Sequence, residues 1–105
     1  MSELMVAALQ EIKAELKALE LWSPLPPSPE AMASTAPFCC DTMPFEHWLQ
    51  FVLLPRMQAL LDGDHPLPDK VSILPMAEVA LARYPQDTRL LLYWIGRFDA
   101  CFQND

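Results

Sequence analysis

Residues 38–57 read FCCDTMPFEHWLQFVLLPRM, and the fold class turns on this stretch. Asp41 and Thr42 have side chains that accept from free backbone N–H groups at a helix start. Pro44 suits a first turn, where a missing N–H costs nothing. Phe45, Trp48, Leu49, Val52, Leu53 and Met57 then recur at three- and four-residue spacing, and Leu60 and Leu61 extend the same apolar face. The spacing predicts a helix over 43–61. Pro55 falls inside it, deletes the bond to the Phe51 carbonyl and predicts a kink there. Asp62-Gly63-Asp64 ends the run, with Gly63 suited to a left-handed cap.

Toward the N-terminus, residues 23–41 contain PLPPSPE and AMASTA, a stiff extended piece followed by a small polar one. This connection is longer than most helix–helix links, so a crossover of the bundle is expected, with Leu25, Met32 and Phe38 pinning it to the helices. Ahead of it, Met5, Ala8, Leu9, Ile12, Leu16 and Leu19 form the stripe of a helix predicted over 2–22. Ser2 and Glu3 favour its start, and Ser23-Pro24 its end. Toward the C-terminus, a short helix over 74–83 turns Ala77, Ala80 and Leu81 inward, with Tyr84-Pro85 as its stop. A last helix over 87–102 carries Leu91, Trp94, Ile95, Phe98, Cys101 and Phe102. Leu90, Leu92 and Tyr93 add apolar surface around it, the mark of a helix that is central or shared with a partner. The expected architecture is all-α: a single-domain four-helix bundle over 1–105, with a long proline-rich connection between the first two helices.

Composition supports this and removes other classes. Two glycines among 105 residues argue against hairpin-rich β folds and phosphate-cradling loops. A net charge of −7, with seven cations and no two adjacent, argues against direct nucleic-acid binding. No apolar run is long enough to span a membrane, and the N-terminus lacks the basic start of a signal peptide. Three cysteines without a secretion signal point to free thiols in a reducing compartment, so a cytoplasmic location is expected.

The stretch DTMPFEHWLQFVLLPRM resembles the signature of the YqcC-like family, small bacterial proteins of unknown function. STAPF before it, LLDGDHPLP after it, the MAEVAL helix and FDACF near the end extend the resemblance over nearly the whole chain. The resemblance implies an all-α bundle of about four helices and no established reaction, so it carries no catalytic residues over. It also implies an association with a tRNA pseudouridine synthase, beside which family members are often encoded. At Cys39-Cys40 this chain departs from the aromatic or small residues common in the family, so no family thiol chemistry is implied.

Arg56 is the sharpest candidate among individual residues. Its stem follows the apolar face, and a guanidinium there needs a carboxylate, for which Asp99 and Glu78 are available. An inter-helix salt bridge is the structural expectation, a cleft that binds an anion or a partner carboxylate is the functional one, and a solvated side chain is the remaining reading. Trp48 and Trp94 are core aromatics in the bland reading and pocket walls beside Arg56 in the sharp one. Asp41 and Glu46, at the start of the second helix, complete the candidate binding set. Trp22 is expected as a lid on the core. Cys39, Cys40, Cys101 and His47 lack metal-ligand spacing. Asp62, Asp64 and Asp69 match a calcium loop only loosely. No catalytic residue, metal or cofactor is selected. The expected function is therefore a non-catalytic accessory protein for a partner such as a tRNA-modifying enzyme. The alternative is a small-molecule-binding protein or enzyme with a pocket between the second and fourth helices. Homodimerisation through the fourth helix is a third possibility.

Overall fold

The computed structural model describes residues 2–63, 65–68 and 70–102. The side chain of Ser2, and Asp64 and Asp69, lie outside the described residues, so the cap and calcium-loop expectations on them are not addressed. Every regular element among the described residues is helical. The elements are α1 (Ser2–Ala18), α2 (Pro29–Met32), α3 (Phe45–Trp48), α4 (Leu54–Asp62), α5 (Leu74–Leu81) and α6 (Arg89–Ala100). A 3₁₀ turn, Pro37–Cys39, precedes α3, and a π turn, Leu49–Leu53, joins α3 to α4.

α1 lies along α6, and this is the most extensive pairing in the molecule. α5 packs on α6, and α3 touches α5. One core results. Ile12 and Leu16 from α1, Leu49 and Met57 from the central helix, Leu81 from α5, and Leu91, Ile95 and Phe98 from α6 are fully buried. These are the inward positions that the sequence periodicity marks.

The first helix ends earlier than 22. Glu20 adopts φ 61°, the left-handed conformation usually given to glycine. Its N–H donates to the Lys17 carbonyl at 3.1 Å, and the Leu21 N–H donates to the Leu16 carbonyl at 2.8 Å. This paired closure is a Schellman turn. It satisfies the last carbonyls and swings Leu21 and Trp22 back onto the core before Pro24 is reached.

The central helix differs most from expectation. It starts at Phe45 with Pro44 extended ahead of it, and neither Asp41 nor Thr42 caps it. It is also not one α-helix kinked at Pro55. In the π turn, the Leu54 N–H donates to the Leu49 carbonyl, and Pro55 sits in the first turn of the renewed α-helix. Phe45, Leu49, Leu53 and Met57 are all buried, each four residues from the next. In a regular α-helix each such step overshoots a full turn by about 40°, so the set would rotate off one face. The wider π turn absorbs the overshoot and keeps all four inward, while Pro55 meets no tight helical turn ahead of it.

Gly63 closes α4 without a left-handed cap: its φ is −90°. The His65 ring lies over it, 2.6 Å from where a Cβ would stand, so a larger residue there would displace that exposed ring. α5 ends at Leu81 and α6 begins at Arg89, each a turn or less short of the expected span.

Candidate functional site

The 23–41 connection is latched to the helices by polar bonds and one aromatic corner. Gln50, buried on the π turn, accepts from the Ser23 N–H at 2.7 Å and donates to the Ser23 carbonyl at 2.8 Å. Both ends of its amide are thereby used, so its burial carries no penalty. Ser28 caps α2 through a bond from the Ala31 N–H. Thr42 donates to the Ala31 and Cys39 carbonyls, and Asp41 accepts from Ser34. Phe38 packs edge-on against Trp48 at 4.9 Å and tilts against Phe45 at 6.0 Å. Phe38 and Cys39 both hold positive φ, 56° and 51°, to place that ring. Of the three side chains expected to pin the loop only Phe38 does so: Leu25 is 74% exposed and Met32 40%.

Two buried carboxylates also serve the frame. Asp99 on α6 accepts from the backbone N–H groups of Ile73 and Leu74, both at 2.8 Å, through Oδ2. Those groups open α5, which lacks a cap of its own. A residue 25 or 26 positions away thus supplies the N-cap. Burial raises the Asp99 carboxyl above its usual value, while the two N–H bonds pull it down. Oδ1 is buried without a partner. Glu46 on α3 accepts at Oε2 from the Tyr84 hydroxyl at 2.7 Å, and its Oε1 is likewise buried alone. Burial and this carboxylate push the Tyr84 phenol up to about 12. Gln86 adds a bond to the Leu19 carbonyl at 3.0 Å, tying the α5–α6 link to the end of α1.

Arg56 is exposed, and among the described residues it forms no ion pair. The expected bridge to Asp99 or Glu78 is absent: Asp99 is buried and turned to the start of α5, while Arg56 and Glu78 are exposed. The one ion pair among the described residues is local, Arg89 to Asp87 at 2.7 Å, and it draws Asp87 down to about 2. Trp94 is half-buried, edge-on to exposed Tyr93 at 5.2 Å. The six candidates Arg56, Trp48, Asp41, Glu46, Asp99 and Trp94 therefore do not converge on one pocket between the central helix and α6.

Two other features stand open. One is the outer face of α6, where Leu90 and Tyr93 are 50% and 54% exposed between Arg89 and Arg97. The other is a groove of about 490 Å³ between α1 and α4, lined by Leu9, Lys13, Trp22, Gln50, Leu54 and Pro55 among others. Gln50, Gln86, the Tyr84 hydroxyl and the lysines near Trp22 were not among the candidate residues. For Gln50 the available signal was a glutamine inside the apolar stretch WLQFVLL; Tyr84 and Gln86, in ARYPQDTR, carry none. Among the described residues the three cysteines are free thiols, no His, Cys, Asp or Glu cluster could hold a metal, and no helix is long and apolar enough to cross a membrane.

Comparison with known proteins follows the same outline. The family model DUF446, described as tRNA pseudouridine synthase C, matches residues 4–101. An Escherichia coli protein named uncharacterized protein YqcC is 40% identical over 97 residues, covering 92% of this chain and 89% of its own. The solution NMR structure of YqcC from E. coli aligns with a TM-score of 0.80 at 38% identity, over 96% of this chain and 86% of that one. A Pectobacterium carotovorum protein named tRNA pseudouridine synthase C is 49% identical over 61 residues, which are 58% of this chain and 16% of that protein. The chain belongs to the DUF446, YqcC-like family.

Proposed function

We propose that this family member is a non-catalytic accessory protein of the bacterial cytoplasm that docks on a tRNA pseudouridine synthase through the outer face of α6. The observation that carries the reading is the Pectobacterium relative. There a segment 49% identical to part of this chain occupies 16% of a protein bearing the synthase name. Covalent fusion supplies a high effective concentration to two modules that work together, and docking achieves the same when they are separate chains.

Surface chemistry supports α6 as the contact. Leu90 and Tyr93 lie three residues apart on its outer side, and each is about half exposed. Arg89 and Arg97 flank them. Tyrosine and arginine around an apolar centre are the residue types that dominate binding energy at protein interfaces. The net charge of −7 directs the chain to the enzyme and not to the tRNA phosphates. The buried carboxylates are held by backbone and phenol groups, which fits a structural role for them and not acid–base chemistry.

Isothermal titration of the purified chain into the synthase from the same cell tests the reading. A one-to-one complex is expected, weakened at least about tenfold by Leu90→Ala with Tyr93→Ala. Absence of binding at tens of micromolar, or tight salt-dependent binding of tRNA by this chain alone, refutes it.

A further inference from the structure

The groove between α1 and α4 has no α6 residue in its lining and has its own chemistry. Leu9, Leu54 and Pro55 give it apolar walls, and the Trp22 indole adds an aromatic one. Its volume, about 490 Å³, lies in the range of small-ligand sites. The charge beside Trp22 is cationic. The Lys13 ammonium lies 5.7 Å from the centre of the Trp22 ring and the Lys17 ammonium 5.0 Å. Among the described residues neither lysine is ion-paired, although acidic side chains outnumber basic ones two to one in the chain. Cation–π contact places both charges over the indole but leaves them without a carboxylate.

Gln50 does not compete for a ligand's polar end, because its amide is spent on Ser23. The Gln58 amide donates to Asp62. The lysines are therefore the charged groups open to an anion beside the Trp22 wall of the groove. An apolar trough lined by Lys13, with the Lys17 ammonium beside its Trp22 wall, is complementary to a molecule with an apolar body and a single terminal anionic group.

We propose that this groove binds small amphipathic carboxylates, the alkyl or aryl body along Leu9, Leu54 and Pro55 and the carboxylate between Lys13 and Lys17. Ligand binding here does not depend on the synthase reading, since no α6 residue takes part. The two fail or stand separately.

Amide and indole NMR spectra of the full chain, titrated with sodium octanoate and separately with 1-octanol, test the site. Octanoate should shift the Trp22 indole N–H and the Lys13 amide. It should bind more tightly than octanol and weaken as salt is raised. Lys13→Gln with Lys17→Gln should weaken octanoate roughly fivefold, the scale of two exposed charge contacts, and leave octanol within twofold. Both lysines are exposed, so the variant is expected to fold normally. No shift of the Trp22 indole at millimolar octanoate overturns the proposal. So does equal binding of octanol and octanoate, or an unchanged octanoate affinity in the double variant.

Discussion

Replacing Asp99 with alanine should destabilise the protein far more than its distance from any catalytic chemistry suggests. The carboxylate accepts two backbone N–H bonds at 2.8 Å, one of them fully buried at Ile73 and one partly buried at Leu74. Alanine leaves both donors without a partner at the mouth of α5. A buried orphan donor costs about 1–3 kcal/mol and a partly hydrated one less, while loss of a desolvated charge returns a fraction. The net expectation is roughly 2–4 kcal/mol. For a domain near 100 residues this lowers Tm by about 10–25 °C. Asp99→Asn keeps one oxygen for both bonds and should stay within about 1 kcal/mol of the native protein. The two carboxyl forms also differ in pH response. Burial raises the folded pKa above the unfolded value of 3.8, so the native state holds this proton longer than the unfolded chain does. The carboxylate thus costs stability at neutral pH, and the cost disappears as pH falls through the raised pKa to 3.8. Relative to Asp99→Asn, the native protein should gain stability over that interval. Thermal melts of the three proteins from neutral to acid pH, with hydrogen exchange at the Ile73 and Leu74 amides, measure both effects. Equal stability of native protein and Asp99→Ala, with unchanged protection of those amides, refutes the capping role.

Tyr84→Phe should cost about 1–3 kcal/mol, because it leaves both Glu46 oxygens buried without a donor; chemical denaturation reads this directly. The stability that the raised Tyr84 pKa contributes should be full below pH 10 and fall away between 10 and about 12, and absorbance titration of the phenols should place Tyr84 itself at about 12. Glu20→Gly should stabilise by roughly 0.5–1 kcal/mol, since it relieves a left-handed conformation at an exposed position; a fall in stability argues against the Schellman turn. Arg56→Met should change stability by no more than about 0.5 kcal/mol; a loss of several would restore a buried ion pair.

The four amphipathic faces were legible because each depends on residues three or four apart. Ala8, Ile12 and Leu16, or Leu91, Ile95 and Phe98, announce their helices without knowledge of any other part of the chain. The ends of the helices were less so. Closure at Glu20 depends on a backbone conformation that glutamate rarely signals, and the π turn shows only as a strict four-residue spacing ahead of a proline. The polar framework was not legible. Gln50 to Ser23, Asp99 to the start of α5 and Tyr84 to Glu46 span 25 to 38 residues, and no local pattern pairs such positions. That is why Asp99, expected as a partner for Arg56, is found instead at the start of α5, and Glu46 against Tyr84. Arg56 failed for a different reason: the π turn and the fresh helix after it rotate residue 56 outward from the face that regular periodicity gives it.

Hydrogen exchange on this chain, alone and mixed with the tRNA pseudouridine synthase of the same cell, addresses the docking role most directly. Protection should appear over α6, Arg89–Ala100, and vanish when Leu90 and Tyr93 are both alanine. An exchange pattern that the synthase leaves unchanged, or protection confined to other helices, contradicts it.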